Sequence, residues 1–348
     1  MTTSSCAWPH DTVEGLPRDG FPVPSSKHTG WRVMASRGDD APGGASVRSR
    51  PKQALDYLIE RVASGATRNP YLDAFVNDAP LLRAFQELPC FDRTWRRKAN
   101  IAKEVTEAAG ALAQIKARCL PPGASRGDGA GLAFVDLCAG RGMLAVLVAH
   151  AFPRAAVVAV DADANVNLDH YAAFPNLAHR RVDVYADETE RIVRDLVARS
   201  DACVVVGVHL CGDLSRRAVE LWDAAGAAAL VLAPCCLPRR RRCDAFGFHV
   251  RDQARRLKVD AHRLWCLHLF GLLPLEEDSD ARCAMCVDDD VLGPRGTFLV
   301  ARWNEDGNRT WARRWKRSRG GRGKRGGGEG GEGGIVAGVG AGKWRVLR

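Results

Sequence analysis

The sequence predicts an α/β fold: a mostly parallel sheet covered by helices on both faces, with its last strand antiparallel. Three observations predict it. From Ala133 onward, short all-apolar runs alternate with amphipathic segments, the pattern of strands buried on both faces and joined by crossover helices. The stretch Val135 to Ala145, VDLCAGRGMLA, passes from an apolar strand through a glycine turn directly into a helix. The last two apolar runs, ARCAMCV and TFLVARW, are joined through DDDVLGPRG and suggest an antiparallel pair.

Taken in order, residues 1–50 are rich in Ser, Gly and Pro and are expected to be a disordered tail. Pro51 to about Leu120 has a helical pattern: ALDYLIERVA, then LLRAFQEL, then a long run from Arg93 to Cys119. Arg93, Arg96, Arg97 and Lys98 would form either a solvated helix face or the lining of a substrate groove. Pro121-Pro122 and GASRGDGAG break the pattern. They divide a helical extension (51–127) from an α/β domain (128–304). In that domain AFVDL is the first strand, and Met143 to Ala151 the helix after it. AVVAVD (156–161) is the second, with a helix around Ala164 to Phe174. HRRVDV (179–184) is the third, with a helix from Thr189 to Ala198. ACVVVGVHL (202–210) is the fourth, with a helix from Leu214 to Ala225, and AALVLAP (228–234) is the fifth. Arg239 to Arg242 fall in a loop, and Arg251 to Leu257 in a helix. RLWCLHLFG suits a strand or a buried helix segment, and the antiparallel pair closes the domain.

Charge is unevenly placed. Residues 309–348 hold 12 Lys/Arg and 2 Asp/Glu, and the other 308 hold 39 of each sign. The body is neutral and the net charge of +10 belongs to residues 309–348, within a Gly/Arg-rich tail (305–348). Its composition predicts disorder, and arginines with interspersed aromatics suit nucleic acid. No apolar run approaches the ~20 residues of a membrane span. The 12 cysteines are not arranged as a disulfide scaffold: Cys203 and Cys266 fall in apparent buried strands, where a thiol acts as a small hydrophobe. A reducing, cytoplasmic or nuclear compartment is expected. Five acids (Asp11, Glu14, Asp19, Asp39, Asp40) weaken the case for an organelle transit peptide.

The glycine turn fits two cofactors. Gly140 and Gly142 allow close backbone approach, the next helix presents N–H groups, and Asp161 can accept hydrogen bonds from ribose hydroxyls. NAD and S-adenosylmethionine (SAM) both use such features. Asp136 separates them, because a carboxylate does nothing for a pyrophosphate but suits the ammonium and sulfonium of SAM. Asp183, ending the third strand, is a candidate acceptor for the adenine amino group or a helix cap. The predicted cofactor-binding set is Asp136, Cys138, Ala139, Gly140, Gly142, Asp161, Ala162, Asp183 and His209.

Asp136 to Gly142, Asp161, VHLCGDLS (208–215) and LAPCC (232–236) together resemble a class I SAM-dependent methyltransferase family. It includes the tRNA ribose 2'-O-methyltransferases with an HLCG motif and related methyltransferase-domain proteins. The resemblance spans about Ala133 to Trp303 and implies a Rossmann-like seven-stranded sheet. Where the tRNA enzymes follow the paired cysteines with histidines, Leu237-Pro238 stands here. His209, Cys235 and Cys236 are the catalytic candidates at the carboxyl edge of neighbouring strands. Acid–base work by His209, thiolate attack by Cys235 and zinc ligation are all open, as is a purely pocket-shaping role. No metal is assigned. Asp213 or Ser215 is expected to cap the following helix. Cys211, Arg239, Arg240 and Arg241 are assigned to substrate, with RNA (tRNA or rRNA) as the expected partner. A protein or small-molecule acceptor, or a non-catalytic RNA-binding role, is the alternative.

Overall fold

The computed structural model describes residues 54–88, 91, 95, 100–120, 127–275, 281–292 and 296–303. Both predicted tails, and Arg93, Arg96, Arg97 and Lys98, lie outside the described residues.

Among the described residues the first helices are α1 (Ala54–Ala63), α2 (Pro70–Asn77), α3 (Ala79–Glu87) and α4 (Ile101–Gln114), the last widening into a π turn over Ile115–Cys119. Proline in the first turn and an Asx cap start α2 and α3. Asn69 Oδ1 accepts from the N–H groups of Tyr71 and Leu72, and Asp78 Oδ1 from that of Leu81. The sheet elements follow as β1 (Leu132–Leu137), α5 (Met143–Ala151), β2 (Ala156–Asp161), β3 (Leu177–Arg181), α6 (Asp187–Arg199), β4 (Ala202–Cys211), α7 (Leu214–Ala225) and β5 (Ala229–Cys236). Next come α8 (Arg240–Phe246), α9 (Val250–Leu257), α10 (Ala261–Phe270), β6 (Ala281–Val287) and β7 (Thr297–Trp303).

The sheet has seven strands in the order β3-β2-β1-β4-β5-β7-β6. β1 to β5 run parallel, and β7 lies antiparallel between β5 and β6. This is the predicted architecture. The order reverses between β1 and β4, which places the ligand crevice outside the carboxyl ends of those strands. Alternate side chains feed two cores. Phe134, Val157, Val204, Val231 and Phe298 face α1 to α5, while Val135, Val158, Val205, Leu230 and Leu299 face α6, α7 and α10. The N-terminal helices therefore share one continuous core with the sheet. Gly110 of α4 lets the antiparallel pair approach: a Cβ there would stand 2.8 Å from Val291 Cγ2 and 3.0 Å from Phe298 Cζ.

Four expectations need correction. The helix around Ala164 to Phe174 reduces to one 3-10 turn, Asp169–Ala173. Asp161, Asp163 and Asn167 each accept from the backbone N–H two residues on, and these Asx turns displace the helix. The third strand ends at Arg181, so Asp183 lies in the following turn. Arg240 to Arg242 open α8 instead of filling a loop. Cys266 is buried in α10, not in a strand, because RLWCLHLFG is helical. Among the described residues no helix is long and apolar enough to cross a membrane.

Candidate functional site

β1 is buried along its whole length and delivers the chain to a turn with three positive φ angles: Cys138 at 54°, Gly140 at 55° and Gly142 at 74°. Asp161, at the end of β2, holds this turn. Its Oδ2 accepts from the Gly140 N–H at 2.8 Å and its Oδ1 from the Asp163 N–H at 2.8 Å. The two glycines have different reasons to be glycine. A Cβ on Gly142 would come within 1.8 Å of Tyr171 Oη, whereas a Cβ on Gly140 would meet nothing within 4 Å. Gly142 is a packing glycine, and Gly140 opens toward the crevice. The 3-10 turn braces the loop from behind: the His170 ring Nε2 lies 2.9 Å from the Arg141 carbonyl oxygen. Tyr171 Oη is buried without a hydrogen-bond partner among the described residues.

Asp136 is 3% exposed. Burial pushes its carboxyl up to about 8; the Ala145 N–H opposes that shift and the charge of Asp161 adds to it. A neutral acid therefore stands behind the turn at neutral pH. It borders a cavity of about 30 Å³ with Glu104 and Ala108 of α4, Ala139, Met143, Leu144 and Val208, which is large enough for a water molecule. The body of any cofactor must lie further out, along the open strand edge. Cys138, in the same turn, is half-buried. Burial pushes its thiol up to about 12, and Asp161, Asp136, Asp183 and Cys211 all add to the rise.

The second half of the site is built by β4 and β5. Their register shifts between Val208, Leu210 and Cys211, which ends regular pairing at the HLCG segment. The turn after β4 is then clipped to β5. The Gly212 N–H donates to the Cys236 carbonyl at 3.1 Å, and the left-handed Gly212 (φ 61°) stands against Pro238. The imidazole Nε2 of His262, from α10, lies 2.8 Å from the Pro234 carbonyl oxygen. These restraints gather three thiols. Cys211 Sγ is 3.4 Å from Cys235 Sγ, which is 3.5 Å from Cys236 Sγ. The crowding of these sulfurs, Cys211 first, together with burial, pushes the Cys235 thiol up. His209 lies in β4, and its side chain lies outside the described residues.

Asp213 and Ser215 do not cap α7 with their side chains. Ser215 Oγ donates to the Leu210 carbonyl at 2.8 Å, and Asp213 accepts from Tyr185 Oη at 2.5 Å with Arg242 at 3.5 Å. Tyr185 thus ties the turn after β3 to the HLCG turn. Asp183 does not cap a helix with its carboxylate either; its Oδ1 accepts from the Tyr185 N–H.

The structure brings together Asp136, Cys138, Ala139, Gly140, Gly142, Asp161 and Ala162, with Asp183 two residues beyond β3. Cys211, Cys235 and Cys236 form the neighbouring cluster. Of Arg239 to Arg241, only Arg240 lines the adjacent cleft. That cleft, about 640 Å³, runs between Leu237 and α9 and is bordered by Arg240, His249, Arg251, Arg255 and Lys258 with Asp252. Sequence reasoning missed Tyr171, Tyr185 and His262, which act through tertiary contacts and carry no motif.

Residues 102–239 match a family model described as a methyltransferase domain. That span runs from α4 to Arg239 and includes both the glycine turn and the thiol cluster. No curated protein matches the chain. Solved structures similar to it include the antibiotic-resistance methyltransferase Kmr, at 14% identity over 50% of this chain and 88% of that one, with a TM-score of 0.31. Another is precorrin-6y C5,15-methyltransferase from Geobacter metallireducens GS-15, at 12% identity over 61% of this chain and 91% of that one, with a TM-score of 0.32.

Proposed function

We propose that this protein is a SAM-dependent methyltransferase of the HLCG/PCC type that acts on RNA, with tRNA or rRNA as the substrate. The observation that carries the SAM reading is Asp136, a buried acid directly behind the glycine turn. A dinucleotide's pyrophosphate gains nothing from it, whereas a cationic cofactor draws its ionised form into a favourable pair.

The residues fit that cofactor. The open face of Gly140 is a cradle that a Cβ would fill. Asp161 keeps further lone pairs on both carboxylate oxygens for ribose hydroxyls, and Asp183 is exposed beside the same edge. Cys138, Ala139, Gly142 and Ala162 supply the surrounding backbone, with His209 at the end of β4. When bound, SAM supplies an electrophilic methyl group, and in-line transfer needs chiefly proximity and orientation. His209 is the candidate for taking the proton of the acceptor, with Cys235 and Cys236 at the end of the neighbouring strand. Cys211 and Arg239 to Arg241 face the acceptor side in this reading. The cationic cleft next to Leu237 supports a phosphate-bearing acceptor, as does the basic composition of residues 309–348.

The test is labelling of total RNA and protein extracts with SAM tritiated on the methyl group, using the Gly142→Ala variant as control. Label in RNA that requires Gly142 supports the proposal. Label confined to protein would overturn the RNA assignment, and loss of SAM binding in wild type would overturn the cofactor.

A further inference from the structure

The thiol cluster has a geometry that methyl transfer does not explain. Cys211, Cys235 and Cys236 place their Sγ atoms within 4.8 Å of one another, with two of the separations at 3.4 and 3.5 Å. A tetrahedral zinc ion with Zn–S of 2.3 Å holds its sulfurs about 3.8 Å apart, a few tenths of an ångström from the two separations that Cys235 makes with its neighbours. The arrangement is not a disulfide, whose sulfurs lie about 2.05 Å apart.

The chemistry points the same way. Three sulfur donors exclude calcium and magnesium, which take oxygen ligands, and select a soft or borderline ion. A divalent cation binds the thiolate form, so its uptake releases their protons. Backbone restraints fix the donors in advance: the Gly212 N–H to Cys236 clip, and His262 against the Pro234 carbonyl. Cys211 and Cys236 are exposed and Cys235 is half-buried, so an ion can enter from solvent.

We propose that Cys211, Cys235 and Cys236 form a three-thiolate site for a zinc-class divalent cation, with its fourth coordination position open. Three protein ligands plus an open position is the arrangement of zinc sites that bind water or a substrate atom. The site lies at the strand edge beside the cofactor turn, so that position is available to a Lewis-basic group of an acceptor. The inference does not rest on the methyltransferase reading, since metal binding is measured without SAM.

The full-length protein, fully reduced and freed of metal, is titrated with cobalt(II). One equivalent should bind with a thiolate-to-cobalt charge-transfer band, and zinc(II) should displace it. Cys236→Ser and Cys211→Ser, both at exposed positions, should each weaken binding by at least the roughly 10–100-fold that follows loss of a mere outer partner. Cys286→Ser, in β6, should bind as wild type does, and far-ultraviolet circular dichroism checks that each variant is folded. Absence of the band in folded, reduced protein would overturn the proposal. So would unchanged affinity in both cluster variants, which would move the metal to other cysteines. Loss of SAM binding with cobalt uptake intact would overturn the proposed function and leave the metal site standing.

Discussion

Replacing Asp136 by Asn should change how stability depends on pH. The carboxyl titrates at its ordinary value of 3.8 in the unfolded chain and near 8 when folded. Between those values the folded state keeps a proton that the unfolded state has released, so wild-type stability falls as pH rises. Each unit costs about 1.4 kcal/mol, or about 3 kcal/mol between pH 5 and pH 7. Asn keeps an acceptor for the Ala145 N–H and cannot ionise, so the variant lacks this slope. Urea unfolding followed by tryptophan fluorescence at pH 5, 6 and 7 gives the comparison, because other titrating groups cancel in the difference. The variant should gain steadily on wild type, ending about 3 kcal/mol further ahead at pH 7 than at pH 5. A difference that stays constant with pH would show that Asp136 ionises normally in the fold, and the pH dependence expected of SAM affinity would fail with it.

Three further outcomes follow from the same geometry. SAM affinity, measured by titration calorimetry, should rise with pH toward about 8 by up to about tenfold per unit, and should be flat and weaker in Asp136→Asn. Gly142→Ala should destabilise the fold by roughly 1–3 kcal/mol through overpacking against Tyr171, whereas Tyr171→Phe, which removes a buried unpartnered hydroxyl, should be neutral or stabilising; thermal denaturation distinguishes them. Arg240→Glu with Lys258→Glu should weaken binding of tRNA and flatten its log–log salt dependence by about one unit per lost phosphate contact, while an unchanged slope would remove the cleft from the RNA surface.

Strand content was legible because parallel strands buried on both faces announce themselves as all-apolar runs such as AVVAVD and ALVLAP. The glycine turn and Asp161 were legible for a related reason: backbone geometry restricts which residues can stand there. The 164–174 segment misled because its acids and asparagines bond their own backbone, a local competition that hydrophobic periodicity does not register. Tyr171 and His262 could not be found at all. Each acts across more than twenty residues, one against Gly142 and one against Pro234, and nothing in its own neighbourhood marks it. The thiol cluster lies between: the residue types stood in the sequence, but their convergence needed the register shift that ends β4.

The insertion of β7 between β5 and β6 has a consequence for how the chain is made. β6 leaves the ribosome before β7, so until Thr297–Trp303 arrives it has no strand to pair with, and β5 presents an open edge. The late segment also carries contacts to the beginning of the fold. The Leu292 N–H donates to Thr106 Oγ1, the Asn69 side chain to the Asp290 carbonyl, and Arg302 to the Leu120 carbonyl. Helices synthesised first therefore wait for nearly the last described residues before their apolar faces are covered. Slow completion of this kind exposes unpaired edges to aggregation. A chain that stops before Thr297 would lose the keystone of the sheet and the clasp on its N-terminal helices in one stroke.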